Sequence, residues 1–367
     1  MTLMQRILIS AAALAACAAP SLGAAASSVT LYGIADVGIF ANRVKVDGVR
    51  ADTAYGLVSG GQSGSRWGLR GSEDLGGGLK FNFQLESGFD LTNGRSGQNS
   101  RLFGRAAWGG LSGAFGEVRF GRQQTAAVSY FGSISPFGTS WSNAAIGKSG
   151  FRASDTPRFD NTVAYYSPKF GGAQFGASYS FNTRGGMSST DDSTRELSLA
   201  GRYAAGPIYL ALTYDRLITS DNDPNANGRD PSAIQLGGSY DFKAAKVYAG
   251  WSQQKDGWIK SAEGAVVNPN NDLGSSAYFD GKVNAYLVGV SVPFGASQLL
   301  ASFHLVDPDD RAFAGGEKVK IYNLGYNYKM SKRTSLYAMV SYHDGSLYSF
   351  RRDSDSQQFG IGMRHNF

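Results

Sequence analysis

Arg66 and Arg70 stand four residues apart within Ser65 to Ser72, with Trp67 and Leu69 interleaved. In a strand, alternate side chains point to opposite faces, so both guanidiniums share the side away from the apolar pair. Arg105, set among Leu102, Ala106 and Trp108, reads the same way, and Arg158 opens the stretch Arg158-Phe159-Asp160-Asn161-Thr162-Val163. Guanidiniums brought from separate strands to one surface are permanent, planar charges, and a row of them attracts anions. The plainer alternative is that each pairs with a carboxylate, such as Glu73, Glu86 or Glu117, and does nothing further.

Other candidate chemistry is weaker. Ser302 with His304, and Ser341 with His343, lie two apart and share a strand face, but no acid or amide partner marks either pair as a nucleophilic centre. His304, His343 and His365 are too dispersed to define a metal site and are expected at lipid or girdle level. Asp221-x-Asp223-x-Asn225-x-Asn227-Gly228 has some calcium-loop character, yet Ala226 holds the position that needs glycine and no glutamate closes the loop, so a solvated loop is expected. A sugar channel needs an aromatic slide, which inward Tyr32 and Phe103 do not make. No metal, cofactor or catalytic residue is expected, and a barrel enzyme is the rival class.

The elements that must position the arginines are strands. Val29 to Val37 sets Val29, Leu31, Ala35 and Val37 against Thr30, Tyr32, Ile34 and Asp36, and similar alternation recurs down to Gln357 to Phe367. About sixteen strands result. Tight turns, such as Asp74 to Gly78 and Ser112 to Phe115, alternate with long polar links, such as Arg43 to Gly64, Thr183 to Thr194 and Lys255 to Gly281. No run of about 18 apolar residues is available for a membrane helix. Where backbone groups cannot be hydrated, only helices or closed barrels cross a bilayer, so the expected fold is all-β: a sixteen-stranded antiparallel transmembrane barrel with both ends on the tight-turn side.

Residues 1-25 read as a secretory leader: Arg6 is the positive start, Ile7 to Ala16 the apolar core, and Gly23 to Ala26 the small residues for cleavage after Ala25. Leu14-Ala15-Ala16-Cys17 offers a competing lipoprotein reading. Otherwise the sole cysteine leaves with the leader, and residues 26-367, one barrel domain, have neither disulfide nor thiolate site. The chain has 35 basic and 29 acidic residues, and losing Arg6 leaves an excess of five. The basic residues are scattered, with no basic helix or RNA-binding motif, so small hydrophilic anions are expected as partners and nucleic acid is not.

Thr125 to Pro157 is long, rich in Gly, Ser and aromatics, and without strand alternation. Pro136-Phe137-Gly138, Trp141, Ile146 and Phe151 supply apolar anchors, so the segment is expected to pack on an inner wall and narrow the lumen. Aromatics near strand ends, among them Tyr165 and Tyr166, Tyr240 and Phe242, Tyr326 and Tyr328, and Phe367, are expected to form interfacial girdles.

The chain resembles the general diffusion porins of Gram-negative outer membranes, specifically those of beta-proteobacteria. The likeness covers the mature chain and is carried by Ser28-Val29-Thr30-Leu31-Tyr32-Gly33, by Ser65-Arg66-Trp67-Gly68-Leu69-Arg70-Gly71-Ser72-Glu73-Asp74-Leu75-Gly76, and by Arg101-Leu102-Phe103-Gly104-Arg105. Phe120-Gly121-Arg122-Gln123, Asn161-Thr162-Val163-Ala164-Tyr165-Tyr166-Ser167-Pro168 and Arg364-His365-Asn366-Phe367 complete it. The resemblance implies a homotrimer among outer-membrane lipid and lipopolysaccharide, one pore per subunit, with the third external loop folded inward. It implies an arginine ladder at Arg66, Arg105 and Arg158, with Arg122 close behind, and a terminal Phe367 read by the outer-membrane assembly machinery. The facing loop departs from the family: Thr125 to Ser154 holds no acid and adds Lys148 and Arg152, leaving Asp155 alone near its return. A net-positive, anion-preferring constriction is the expectation.

Overall fold

The computed structural model describes residues 28–46, 52–155, 157–187, 189, 192–224, 226–259, 278–312, 317–345 and 354–367. The expected leader, its cleavage site and Cys17 lie outside the described residues. Seventeen strand segments form one sheet: β1 (Ser28–Val46), β2 (Thr53–Ser59), β3 (Arg66–Gly76), β4 (Leu79–Gly88), β5 (Ala106–Gly113), β6 (Gly116–Gln124), β7 (Arg158–Tyr166), β8 (Ala173–Ser180) and β9 (Arg195–Ala205). The remainder are β10 (Ile208–Ile218), β11 (Ser232–Asp241), β12 (Lys246–Lys255), β13 (Lys282–Phe294), β14 (Ser297–Pro308), β15 (Val319–Lys329), β16 (Thr334–Asp344) and β17 (Ser354–Asn366).

From β3 onward each strand pairs antiparallel with the next, and β1 pairs with β17, Ile34 opposite Asn366 through Val46 opposite Ser354. On its other edge β1 pairs with β3 over residues 28–34 and with β2 over residues 37–43. The segments β2 and β3 are therefore two halves of one position, and the closed barrel has sixteen strands, as expected. Closure through β1 and β17 gives each of the sixteen positions a neighbour on both sides. Two boundaries differ from expectation: β1 runs on to Val46, and Thr53–Ser59, expected as loop, lies beside it. The polar, glycine-containing run around them hides a pairing that only the partner strand reveals.

The side-chain pattern is that of a protein turned inside out. Along β10, Leu210 and Leu212 are half exposed on the outside, while Thr213 and Asp215 on the other face are fully buried. Such alternation suits lipid outside and a polar interior. Turns at one end are short. The link from β3 to β4 runs through Gly76, Gly77 and Gly78, all at positive φ, where a side chain would be strained. Among the described residues no helix is long and apolar enough to cross a membrane.

Two features tie the ends of the chain together. The backbones of Gly33 and Phe367 exchange hydrogen bonds of 3.0 and 3.1 Å, and the Phe367 ring lies over Gly33, where a Cβ would collide with it. Deeper in, buried Asp36 of β1 accepts from Tyr337 Oη of β16 at 2.7 Å and from the amides of Gln62 and Ser63, at 3.1 and 2.6 Å, between β2 and β3. Deleting Phe367 removes two ladder bonds, each worth about 1 kcal/mol net, at the seam where the sheet closes. We expect a lower yield of folded, heat-modifiable barrel on gels. Wild-type yield from the truncated chain would rule out a role for this residue in closure.

Candidate pore constriction

The segment between β6 and β7 is laid along the inner wall. It opens with α1 (Ala126–Phe131), capped by Thr125, whose side chain accepts from the Val128 amide. The amides of Ala126 and Ala127 donate to Ser178 Oγ of β8 and Ser198 Oγ of β9, so wall hydroxyls satisfy helix-end donors. Farther along, Phe131 stacks on Phe151 at 5.8 Å, and Phe137 meets Trp141, which meets Tyr337 of β16, each edge-on at 5.7 Å. The Trp141 amide donates to the Gln62 carbonyl, and the Asn143 amide to Gln358 of β17.

Glycines make the wall fit this segment. A Cβ at Gly289 would stand 2.7 Å from Pro136, one at Gly325 2.7 Å from Phe137, and one at Gly237 2.9 Å from Ile134. Real Cβ contacts are not that close, so these glycines serve close approach rather than backbone freedom. Gly138 itself turns the chain at φ +56°, and its carbonyl accepts from the Ile146 amide.

Against this segment stands a cluster of charge. Glu86 Oε1 receives Arg105 Nε at 2.7 Å and Arg66 Nη1 at 4.0 Å, while Tyr32 Oη donates to Oε2 at 2.8 Å. Arg158 Nε donates to the Arg105 carbonyl at 2.8 Å. Arg66 and Arg105 thus flank one carboxylate and Arg158 joins them through the Arg105 carbonyl, so these four groups carry three positive charges and one negative. Arg122 belongs to a second group: its Nη1 pairs with Asp160 at 2.7 Å, which Arg101 also holds, and it is only 7 % exposed. On the facing segment Arg152 and Lys148 both pair with Asp155, Lys148 at 3.5 Å. Arg152 is buried, so of the two expected lumenal cations only Lys148 is partly open. Burial opposes ionisation of Asp155, yet Arg152 and Lys148 beside it hold its carboxyl below the ordinary value. One excess positive charge remains on this side.

Several expectations are corrected. Trp108 and Ala106 face inward, not to lipid: Trp108 Nε1 donates to Gln84, and Arg119 lies over its ring at 4.4 Å. Residues 101–104 turn rather than extend, so counting alternation through them from Leu102 reverses the phase. Arg105 points inward all the same, because it leaves that turn just before β5. Phe103 packs on Trp67, which lies on the lipid-facing phase of β3, so it is not lumenal. Tyr166 is buried inside, donating to or accepting from Ser129 of α1, whereas Tyr165, Tyr240, Phe242, Tyr326 and Tyr328 are on the outer surface.

His304 and His343 are also buried inside rather than at lipid level. An amide does link the two serine pairs: Asn323 Nδ2 donates to Ser302 Oγ at 3.1 Å, and Ser341 Oγ donates to Asn323 Oδ1 at 2.7 Å. The network His304, Ser302, Asn323, Ser341 and His343 lines the wall behind the docked segment, where Phe151 lies edge-on to His304 at 6.4 Å. Its parts come from three strands, which spacing along one strand cannot show. In the external loop, Asp223 accepts from Tyr278, and Asn225 lies outside the described residues. Glu86, one of the three carboxylates expected as possible partners, is the one that Arg66 and Arg105 share, and it has the same inward phase as Gln84 on β4.

The family model for Gram-negative porins matches residues 10–347. An outer membrane porin protein of Bordetella pertussis is 43 % identical over 394 residues, spanning 99 % of this chain and all of the relative. Outer membrane porin protein 32 of Delftia acidovorans is 34 % identical, covering 95 % of this chain and 91 % of its own. Among solved structures, the anion-selective porin from Comamonas acidovorans superposes with a TM-score of 0.72 at 30 % identity, over 93 % of this chain and all of that one. A closed sixteen-stranded barrel, matched end to end by outer membrane porins, places the chain in the Gram-negative porin family, an outer-membrane protein that crosses the bilayer by its strands.

Proposed function

We propose that this chain is a general diffusion porin whose water-filled lumen passes small hydrophilic solutes and ions and prefers anions. The observation that carries the reading is the grouping of three arginines, Arg66 and Arg105 on the Glu86 carboxylate and Arg158 on the Arg105 carbonyl. Lys148 and Arg152 on the facing segment, with Asp155, add one more positive charge. Pro136, Phe137 and Gly138 anchor that segment so that it narrows the pore, and Arg122 supports the wall from behind. A ring of guanidiniums in a narrow passage draws anions and repels cations. The likeness to the anion-selective porin from Comamonas acidovorans supports this reading.

In this reading residues 26–367 are the mature barrel, assembled as a homotrimer among lipid and lipopolysaccharide, with Phe367 recognised by the assembly machinery. Under a potassium chloride gradient across a planar bilayer, the zero-current potential should carry the sign of chloride permeation, more strongly at low salt. The opposite sign would mean that unplaced carboxylates outweigh the arginines, and would sink the proposal.

A further inference from the structure

A second set of arginines lies nearer the short turns and is built differently from the first. Arg70 is four residues closer to the β3–β4 turn than Arg66, about 13 Å along a strand. Its guanidinium lies over the Tyr32 ring at 5.1 Å. Arg119, three residues from the start of β6, is sandwiched between Trp108 at 4.4 Å and Tyr166 at 4.9 Å. Arg202, three residues from the end of β9, lies over Tyr130 of α1 at 4.7 Å. The rings are themselves linked: Gln84 joins Tyr32 to Trp108, and Tyr130 packs on Tyr166 at 5.9 Å. Together they make a continuous inner band from β1 to β10, where Tyr209 Oη donates to the Tyr130 carbonyl.

In the ladder, guanidiniums meet carboxylates or carbonyls by their edges. In the band their faces are covered by rings. Among the described residues Arg119 pairs with Glu117 through Nη2 and its buried Nε has no partner, while Arg202 donates to the neutral Gln174 carbonyl through Nε and Nη2. Arg70 is exposed. Among the described residues three cations therefore stand against one acid, and what they offer a passing solute is the in-plane N–H edges of exposed Arg70 and the Nη groups of Arg119 and Arg202 that Glu117 and Gln174 leave open. Two coplanar carboxylate oxygens match such an edge, whereas a spherical halide does not.

We infer that Arg70, Arg119 and Arg202, held flat on Tyr32, Trp108, Tyr166 and Tyr130, form a second binding station that favours carboxylate-bearing solutes over chloride. The inference rests on the anion-pore reading above and deepens it by naming the solute class.

The test compares acetate with chloride in bi-ionic reversal potentials. Arg70→Lys/Arg119→Lys/Arg202→Lys keeps every charge but replaces planar forks by point charges. Its preference for anions over potassium should keep its sign, while the acetate-to-chloride permeability ratio falls by about threefold, the scale of a lost bidentate edge. Should the sandwiched Arg119 prove necessary for folding, Arg70→Lys/Arg202→Lys should still lower the ratio. An unchanged ratio in channels of wild-type conductance overturns the second station and leaves the anion pore standing. A cation-preferring wild-type channel overturns both.

Discussion

Replacing Arg66, Arg105 and Arg158 together by glutamine should carry the zero-current potential in a salt gradient most of the way to that of a non-selective pore. The wall would pass from two excess positive charges to one excess negative charge on Glu86, against the one positive charge left on the facing segment. At an effective dielectric near 20, one charge about 4 Å from a passing ion is worth roughly 4 kcal/mol, so even a well-screened fraction sets the sign. The change should be largest below about 0.1 M salt, where the screening length exceeds about 10 Å. Removing only the cations leaves Glu86 part-buried with Tyr32 as its remaining partner, which taxes stability. Adding Glu86→Gln to the triple change removes that strain. Glu86→Gln alone should strengthen the preference for anions. If the triple variant folded and kept wild-type selectivity, the ladder would have no part in it.

Excising residues 136–146 should raise single-channel conductance by about twofold or more, since the narrowest passage governs flow. The excised stretch carries Phe137, Trp141 and Ile146, all buried against the wall or the rest of the segment, and it is held by the Trp141 amide on Gln62 and Asn143 on Gln358. A gentler route leads to the same place from the other side. Gly289→Val or Gly325→Val would overlap Pro136 or Phe137 and push the segment off its seat without shortening it. Unchanged conductance, with unchanged exclusion of large sugars, in all three variants would mean that this segment does not set the passage.

Much of the barrel is legible in the chain because lipid on one side and water on the other impose a strict two-residue alternation. Leu210, Leu212 and Tyr214 against Ala211, Thr213 and Asp215 is a pattern with one physical solution. The inward turn of Arg66 and Arg70 follows from the same rule. Alternation fails where the chain stops being extended, and Trp108 was misplaced for that reason: four residues of turn reset its phase. Pairing across strands is equally opaque. Nothing in the spacing of Ser302 and His304 reveals Asn323 on the neighbouring strand, nor does the composition near Arg122 reveal that Arg101 shares its partner Asp160. The wall glycines read as weak points of a strand until the side chains seated on them are known.

The clasp on Asp36 also has a bearing on time. Its donors come from β16, the last strand but one, through Tyr337, and from the link between β2 and β3, through Gln62 and Ser63; Trp141 then rests on Tyr337 and bonds to Gln62. These groups become neighbours only after the first and last parts of the chain have met. The full seat of the inner segment therefore requires a closed cylinder: a sheet still open between its first and last strands lacks the neighbours that hold Trp141 in place.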